Sequence, residues 1–210
     1  MLLALDTATP AVTVALADGE RVLARRTTVD ARRHGELLAP AVERVLAEAG
    51  ATRRDLTAVA VGVGPGPFTG LRVGVVTARS LGAVLGVPVL GVCSLDALAL
   101  AAVDAGLGGP LRVVTDARRK EVHWAQYDGT ARLDGPHVAR PDAAAYDGTA
   151  VGEGALDHPD AFPGARAPRH PDAADLARWV ARGLPTVEPL PVYLRRPDAV
   201  APGAPKPVLR

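Results

Sequence analysis

Residues 58–86, AVAVGVGPGPFTGLRVGVVTARSLGAVLG, decide how the rest of this chain is read. Val59 to Val63 is an apolar run of strand length, Gly64 to Pro67 cannot continue it, and Thr69 is placed to cap the helix that follows. Strand, glycine loop and helix in that order aim backbone N–H groups at the positive end of a helix dipole, where anions bind in α/β proteins. Neither standard phosphate signature is complete: Thr69, Gly70 and Leu71 stand where a Walker loop needs Gly-Lys-Ser/Thr, and Thr69 stands where a dinucleotide fingerprint needs its third glycine. The loop therefore reads either as an anion cradle or as a structural turn whose glycines permit positive φ.

The helix is the more informative half. Gly70, Gly74, Ala78, Gly82 and Gly86 recur every fourth residue, and a glycine inside a helix costs about 1 kcal/mol relative to alanine. Close packing of the backbone against a neighbour is the natural compensation. Around the remainder of the cylinder Leu71, Val73, Val75, Val76, Leu81, Val84 and Leu85 leave only a narrow polar edge at Arg72, Arg79 and Ser80. A helix this apolar is covered on more than one side, either between layers of its own chain or by a partner.

Working outward, Leu2 to Thr7, Ala11 to Leu16 and Arg21 to Thr28 read as three adjacent strands, and helix–strand alternation follows. Leu37 to Ala49 is an amphipathic helix closed by Gly50, with Pro40 in its first turn or at a kink. Gly86 to Val92 is a further strand, and Ser94 is expected to cap a helix from Leu95 to Val103. The glycines and proline between Asp104 and Pro110 mark the best domain boundary. Beyond it Leu111 to Thr115 and Val122 to Tyr127 pair around a turn that carries Arg118, Arg119 and Lys120. These cations suit an anion, an RNA backbone or simply solvent. Arg132 to Ala150 reads as loop, Ala150 to Gly154 as a short strand and turn, and Asp172 to Arg182 as a helix.

The chain has 210 residues, 48% hydrophobic and 3% aromatic, so its core is built from Ala, Val and Leu. Its net charge of +1 gives no global field for nucleic acid. The single cysteine, Cys93, excludes an intramolecular disulfide and a zinc–cysteine cluster, and reads as a packed, inert thiol. No uninterrupted apolar run approaches the roughly 18 to 20 residues of a membrane span. Leu2 to Leu5 is too short for a signal peptide, so a cytoplasmic protein with no membrane partner is expected. Neither serine, Ser80 or Ser94, lies in a nucleophile elbow.

Five stretches carry a resemblance: MLLALDT from Met1, HGELLAP from His34, GPGPFTGLR from Gly64, DARRKEV from Asp116 and PVYLR from Pro191. In this order they resemble the bacterial TsaB (YeaZ) family. The resemblance implies an α/β chain of the actin-like ATPase (ASKHA) fold with two βββαβα-type subdomains, the second reduced. It would divide as 1–105, carrying the partner-binding helices, then 106–195, then a flexible tail 196–210.

The resemblance further implies a non-catalytic scaffold of the complex that forms N6-threonylcarbamoyladenosine at position 37 of tRNAs reading codons that begin with A. The partners implied are the TsaD transferase and TsaE, a homodimer when TsaD is absent, and tRNA through the complex. Tightly bound cofactors are not expected, with ATP or ADP and metal on the partner subunits or at the complex interface.

On this reading Leu37, Leu38, Val42, Val45, Leu71, Arg72, Val75 and Arg79 form the pairing surface. Asp6, Gly64, Gly66, Thr69 and Arg118 are the candidates for anion or nucleotide binding, with Asp6 and Thr7 alternatively bonding the ends of neighbouring strands. No catalytic set and no metal set is expected: relatives such as TsaD hold a metal on histidines four apart, but His34 is followed by Leu38, leaving His34 as a helix cap or loop hydrogen bond. The competing reading is an enzyme in its own right, an actin-like ATPase or a glycoprotease-type metalloenzyme.

Overall fold

The computed structural model describes residues 1–195; the expected tail 196–210 lies outside the described residues. Two five-stranded mixed sheets repeat one plan. In the first, β1 (Leu2–Asp6), β2 (Ala11–Asp18) and β3 (Arg21–Val29) form an antiparallel meander, and β4 (Ala58–Gly62) and β5 (Val89–Val92) add in parallel on the far side of β1, giving the order β3-β2-β1-β4-β5. The second sheet repeats this with β6 (Pro110–Asp116), β7 (Val122–Asp128), β8 (Ala131–Ala139), β9 (Thr149–Val151) and β10 (Ala165–Arg166), in the order β8-β7-β6-β9-β10. The mixed α/β architecture with a reduced second half is the one expected.

Side-chain size sorts the two faces of the first sheet. Leu3, Leu5, Val12, Val14, Val59 and Val61 meet α1 (His34–Glu48) and α2 (Phe68–Leu85) in one core cluster. On the opposite face the small side chains of Ala4, Ala15, Ala17 and Ala60 admit α5 (Ala173–Ala181) through Ala174, Leu176, Ala177 and Trp179. An expected boundary at 105/106 would place α5 with the second unit. The chain instead returns, and α5 seals the back of the first sheet.

The helix between layers is α3 (Ser94–Asp104), not α2. Leu95, Leu98, Ala99 and Ala102 of α3 pack on Leu111, Val113, Ala125 and Tyr127 of the second sheet, while Ala97 and Leu100 join the α5 cluster. By length and composition α2 could cross a membrane. Here its inner face lies on the first sheet, while Val76 (55% exposed) and Val84 (83%) face outward with Arg72 and Arg79.

Local expectations are corrected at four places. Pro67, not Thr69, precedes the first helical residue of α2, and no side chain caps that end. Ser94 does not cap α3; its hydroxyl turns to Asp6. The strand expected from Gly86 starts at Val89, because Gly86 closes α2 in the left-handed conformation, φ 68°. Finally, the first part of the stretch Arg132 to Ala150, read as loop, belongs to the edge strand β8. Its side chains are mostly exposed, so it shows no inside–outside alternation.

Candidate partner and ligand surfaces

The end of β1 is bonded to three helices and leaves little for a ligand. Asp6 is fully buried; its Oδ1 accepts from the Ala8 N–H at 2.6 Å and its Oδ2 from the Ser94 hydroxyl at 2.6 Å. Burial pushes its carboxyl up to about 6, against the opposing effects of the Ser94 bond, the Ala8 bond and the nearby His34. Ser94 Oγ also accepts the Gly64 N–H at 3.2 Å. The Thr7 hydroxyl donates to Gly70 O at 2.7 Å and accepts from the Gly74 N–H at 2.9 Å. His34 Nε2 donates to Thr9 O at 2.9 Å. These are the strand-end and loop bonds weighed from the sequence as the structural alternatives for Asp6, Thr7 and His34.

Gly70, Gly74 and Gly82 of the glycine stripe have the close neighbours the period called for, whereas Gly86, which closes α2, has none. A Cβ on Gly74 would stand 2.4 Å from Thr7 Oγ1, and one on Gly66 would stand 2.1 Å from Ala8 O. The loop is pressed against the end of β1 by contacts that no larger residue permits. The five anion candidates are consequently not one site. Asp6 and Gly64 belong to the buried Ser94 network, Gly66 and Arg118 line one cavity, and Thr69 and Arg118 line another.

The first cavity, of about 370 Å³, lies between the halves of the molecule. Its walls come from Gly66 to Phe68 at the start of α2, from the β6–β7 turn and from Tyr193 to Arg195; His123 of β7 also lines it. Residues 187–195 cross from one half to the other. The Gly91 N–H donates to Val187 O and the Val192 N–H to Val63 O, and Arg195 then donates to Ala117 O and pairs with Glu121. In the turn itself Arg118, Arg119 and Lys120 have φ of 62°, 56° and 62°, three consecutive non-glycine residues in the left-handed region. No turn-forming glycine or asparagine announced that conformation, so sequence reasoning missed it. The second cavity, about 280 Å³, lies where α1 and α2 begin and includes Thr7, His34, Thr69 and Arg118.

His123, one of five scattered histidines in the sequence, is the residue that reasoning passed over. It is only 6% exposed, its Nδ1 has no hydrogen-bond partner, and burial lowers it to about 4, so the ring is neutral at physiological pH. Its cross-strand neighbour Thr115 likewise has an unbonded, buried hydroxyl. A third buried polar group joins the halves: the Tyr127 hydroxyl donates to Asp96 Oδ1 at 2.6 Å, with Arg132 beside Asp96 and Cys93. Burial pushes the Cys93 thiol up to about 12, which keeps it protonated and unreactive. Among the described residues no group of three metal-ligating side chains converges.

The pairing surface inferred from the helical pattern needs correcting. Leu38, Val42, Val45, Leu71 and Val75 are buried in the chain's own core. Leu37 is partly buried against the same core, and Arg72 and Arg79 are exposed. The exposed large apolar residues of α2 are Phe68, Val76 and Val84, with Phe68 held under Arg72 at 4.9 Å and against Tyr193 at 5.1 Å. Val75 and Val76 are chemically alike, so composition could not say which of them faced inward.

The doubled sheet plan, with α3 shared between the halves and helices on the first, defines an α/β protein of the actin-like class. Residues 21–199 match the family model described as "TsaD: tRNA N6-adenosine threonylcarbamoyltransferase". The solved structure of YeaZ from Pseudomonas aeruginosa superposes with a TM-score of 0.79 at 33% identity, covering 92% of this chain and 99% of that one. An uncharacterized protein of Mycobacterium tuberculosis is 47% identical over 205 residues, 94% of this chain and 93% of its own length. The tRNA threonylcarbamoyladenosine biosynthesis protein TsaB of Escherichia coli is 36% identical over 126 residues, 60% of this chain and 54% of that protein. The chain belongs to the TsaB (YeaZ) family.

Proposed function

We propose that this chain is a non-catalytic accessory subunit in the synthesis of N6-threonylcarbamoyladenosine at position 37 of tRNAs reading codons that begin with A. In this reading it pairs with the TsaD transferase, TsaE completes the complex, and two copies pair when TsaD is absent. ATP or ADP and the metal sit on the partner subunits or at the complex interface, and tRNA is reached through the complex. The observation that carries the reading is the outer face of α2. Val76 lies in the middle of the exposed sector, Phe68 and Val84 at its two edges, and Arg72 and Arg79 near the Phe68 edge. An apolar helix face with cationic neighbours, on an element clamped from behind by Thr7, is rigid and incompletely covered, as a docking surface is.

The test is threonylcarbamoyl transfer to tRNA with purified TsaD and TsaE, with this chain added or omitted, alongside ATP hydrolysis by this chain alone. Transfer that requires the chain, with no hydrolysis by the chain itself, supports the accessory role. A second reading takes the matched family description at face value and makes this chain the transferase. It predicts transfer by this chain without TsaD, and the sealed bonding of Asp6 and His34 weighs against it.

A further inference from the structure

Beyond that role, we propose that residues 187–195 act as a staple that holds the β6–β7 turn in its left-handed form and makes that turn answer to contacts at the start of α2. The turn is the element with two available arrangements. Arg118, Arg119 and Lys120 all lie at positive φ, 62°, 56° and 62°, in a region that disfavours any residue carrying a Cβ. A segment of this kind persists only where its surroundings over-determine it. Inside the turn the Ala117 N–H donates to Glu121 O at 2.9 Å, the Glu121 N–H to Arg118 O at 3.1 Å and the Arg118 N–H to Asp116 Oδ1 at 2.9 Å. From outside, Arg195 grips both sides of the base. Its Nη1 donates to Ala117 O at 3.3 Å, immediately before the three left-handed residues, and its Nη2 pairs with the Glu121 carboxylate, immediately after them. One guanidinium thereby bridges the two residues between which the turn stays closed.

What positions Arg195 belongs to the first half. Val187 and Gly91 exchange two backbone hydrogen bonds of 2.9 Å, the Val192 N–H donates to Val63 O at 2.8 Å, and the Val192 side chain packs against the core of the first sheet. Tyr193, 37% exposed, then rests its ring 5.1 Å from that of Phe68, 49% exposed, and Arg72 stands 4.9 Å over the Phe68 ring. Arg72, Phe68, Tyr193 and Arg195 make a physical line from the outer edge of α2 to the base of the turn. Its aromatic step is accessible, so a molecule docking over Phe68 meets Tyr193 as well and shifts the balance between the held and the relaxed turn. Arg118 lines both cavities, and the state of the turn decides where its guanidinium stands. What docks there rests on the accessory role proposed above. The staple is a property of the chain alone.

Amide hydrogen exchange of the full chain, read by NMR at Ala117 and Glu121, tests the staple with no partner present, so its failure is distinct from failure of the transfer assay. Arg195→Met keeps the reach of the side chain and removes its donors and charge. Protection at both amides should fall about tenfold, the scale of one hydrogen bond to a charged group. Phe68→Ala alters neither the crossing segment nor the turn, and should lower the same protection about threefold through loss of the Tyr193 contact. The amides of Leu111 to Val113, in a strand paired on both sides by β7 and β9, report general loosening and should stay within about twofold of the parent. Should Phe68→Ala fail to fold, Tyr193→Ala removes the same contact from the exposed side. The proposal is overturned by any of three results: unchanged protection at the turn in Arg195→Met, a fall in Arg195→Met with none on removing the Phe68–Tyr193 contact, or a fall at Leu111 to Val113 as large as that at the turn.

Discussion

Asp6 is where one atom position determines what the chain can do. Its raised carboxyl pKa means that its stability contribution is full below the unfolded value of 3.8 and is lost as pH rises through about 6. Asp6→Asn keeps the shape and cannot ionise, so its unfolding free energy should gain on the parent by about 2 kcal/mol between pH 4 and pH 7.5. Urea melts of both proteins at the two pH values check this; a constant difference would show that the carboxyl titrates normally. Thr7 and Gly74 form the second test at this scale. Gly74→Ala should cost about 2 kcal/mol by overlap with Thr7 Oγ1. Thr7→Ala should lose the two hydrogen bonds, and the double variant should cost less than the sum because the overlap has gone. The every-fourth-residue glycine pattern foretold such contacts. It could not name Thr7, which is 67 residues away in sequence.

At the scale of elements, α2 separates stability from association. Val76→Asp and Val84→Asp should leave thermal stability within about 0.5 kcal/mol and weaken pairing with TsaD or with a second copy, read by analytical ultracentrifugation. Val75→Asp buries a charge and should not yield folded protein. Pairing that survives both outward substitutions would place the partner elsewhere. Strands β1, β2, β4 and β6 were legible because runs of Val, Leu and Ala end in turn-forming residues. β8 was not, since its order comes from pairing with β7, and its Gly135-Pro136 step looks like loop to any local reading. The existence of α5 was legible from its own pattern, but its destination was not, because its docking face on Ala4, Ala15 and Ala60 is set by residues more than a hundred positions earlier.

For the whole molecule, the return of α5 makes the first half dependent on the end of the chain. A fragment of residues 1–105 would expose Ala4, Ala15, Ala60 and Leu100 where α5 sits, together with the α3 face that meets the second sheet. Such a fragment should bind a hydrophobic dye and aggregate, whereas the full chain should unfold in one cooperative transition by calorimetry. Two separated transitions would show that the halves are energetically independent. The doubled sheet plan also gives the halves unequal outward character, since α1 and α2 dress the outer face of the first sheet, whereas on the face of the second sheet away from α3 the cover is the short α4 (Glu153–Leu156) and irregular chain. The consequence of clamping α2 from behind is a division of labour between its two sides. Its inner side is fixed by the chain's own geometry, while its outer side answers only to whatever docks there, so the outer residues can be rewritten to redirect binding without rebuilding the protein.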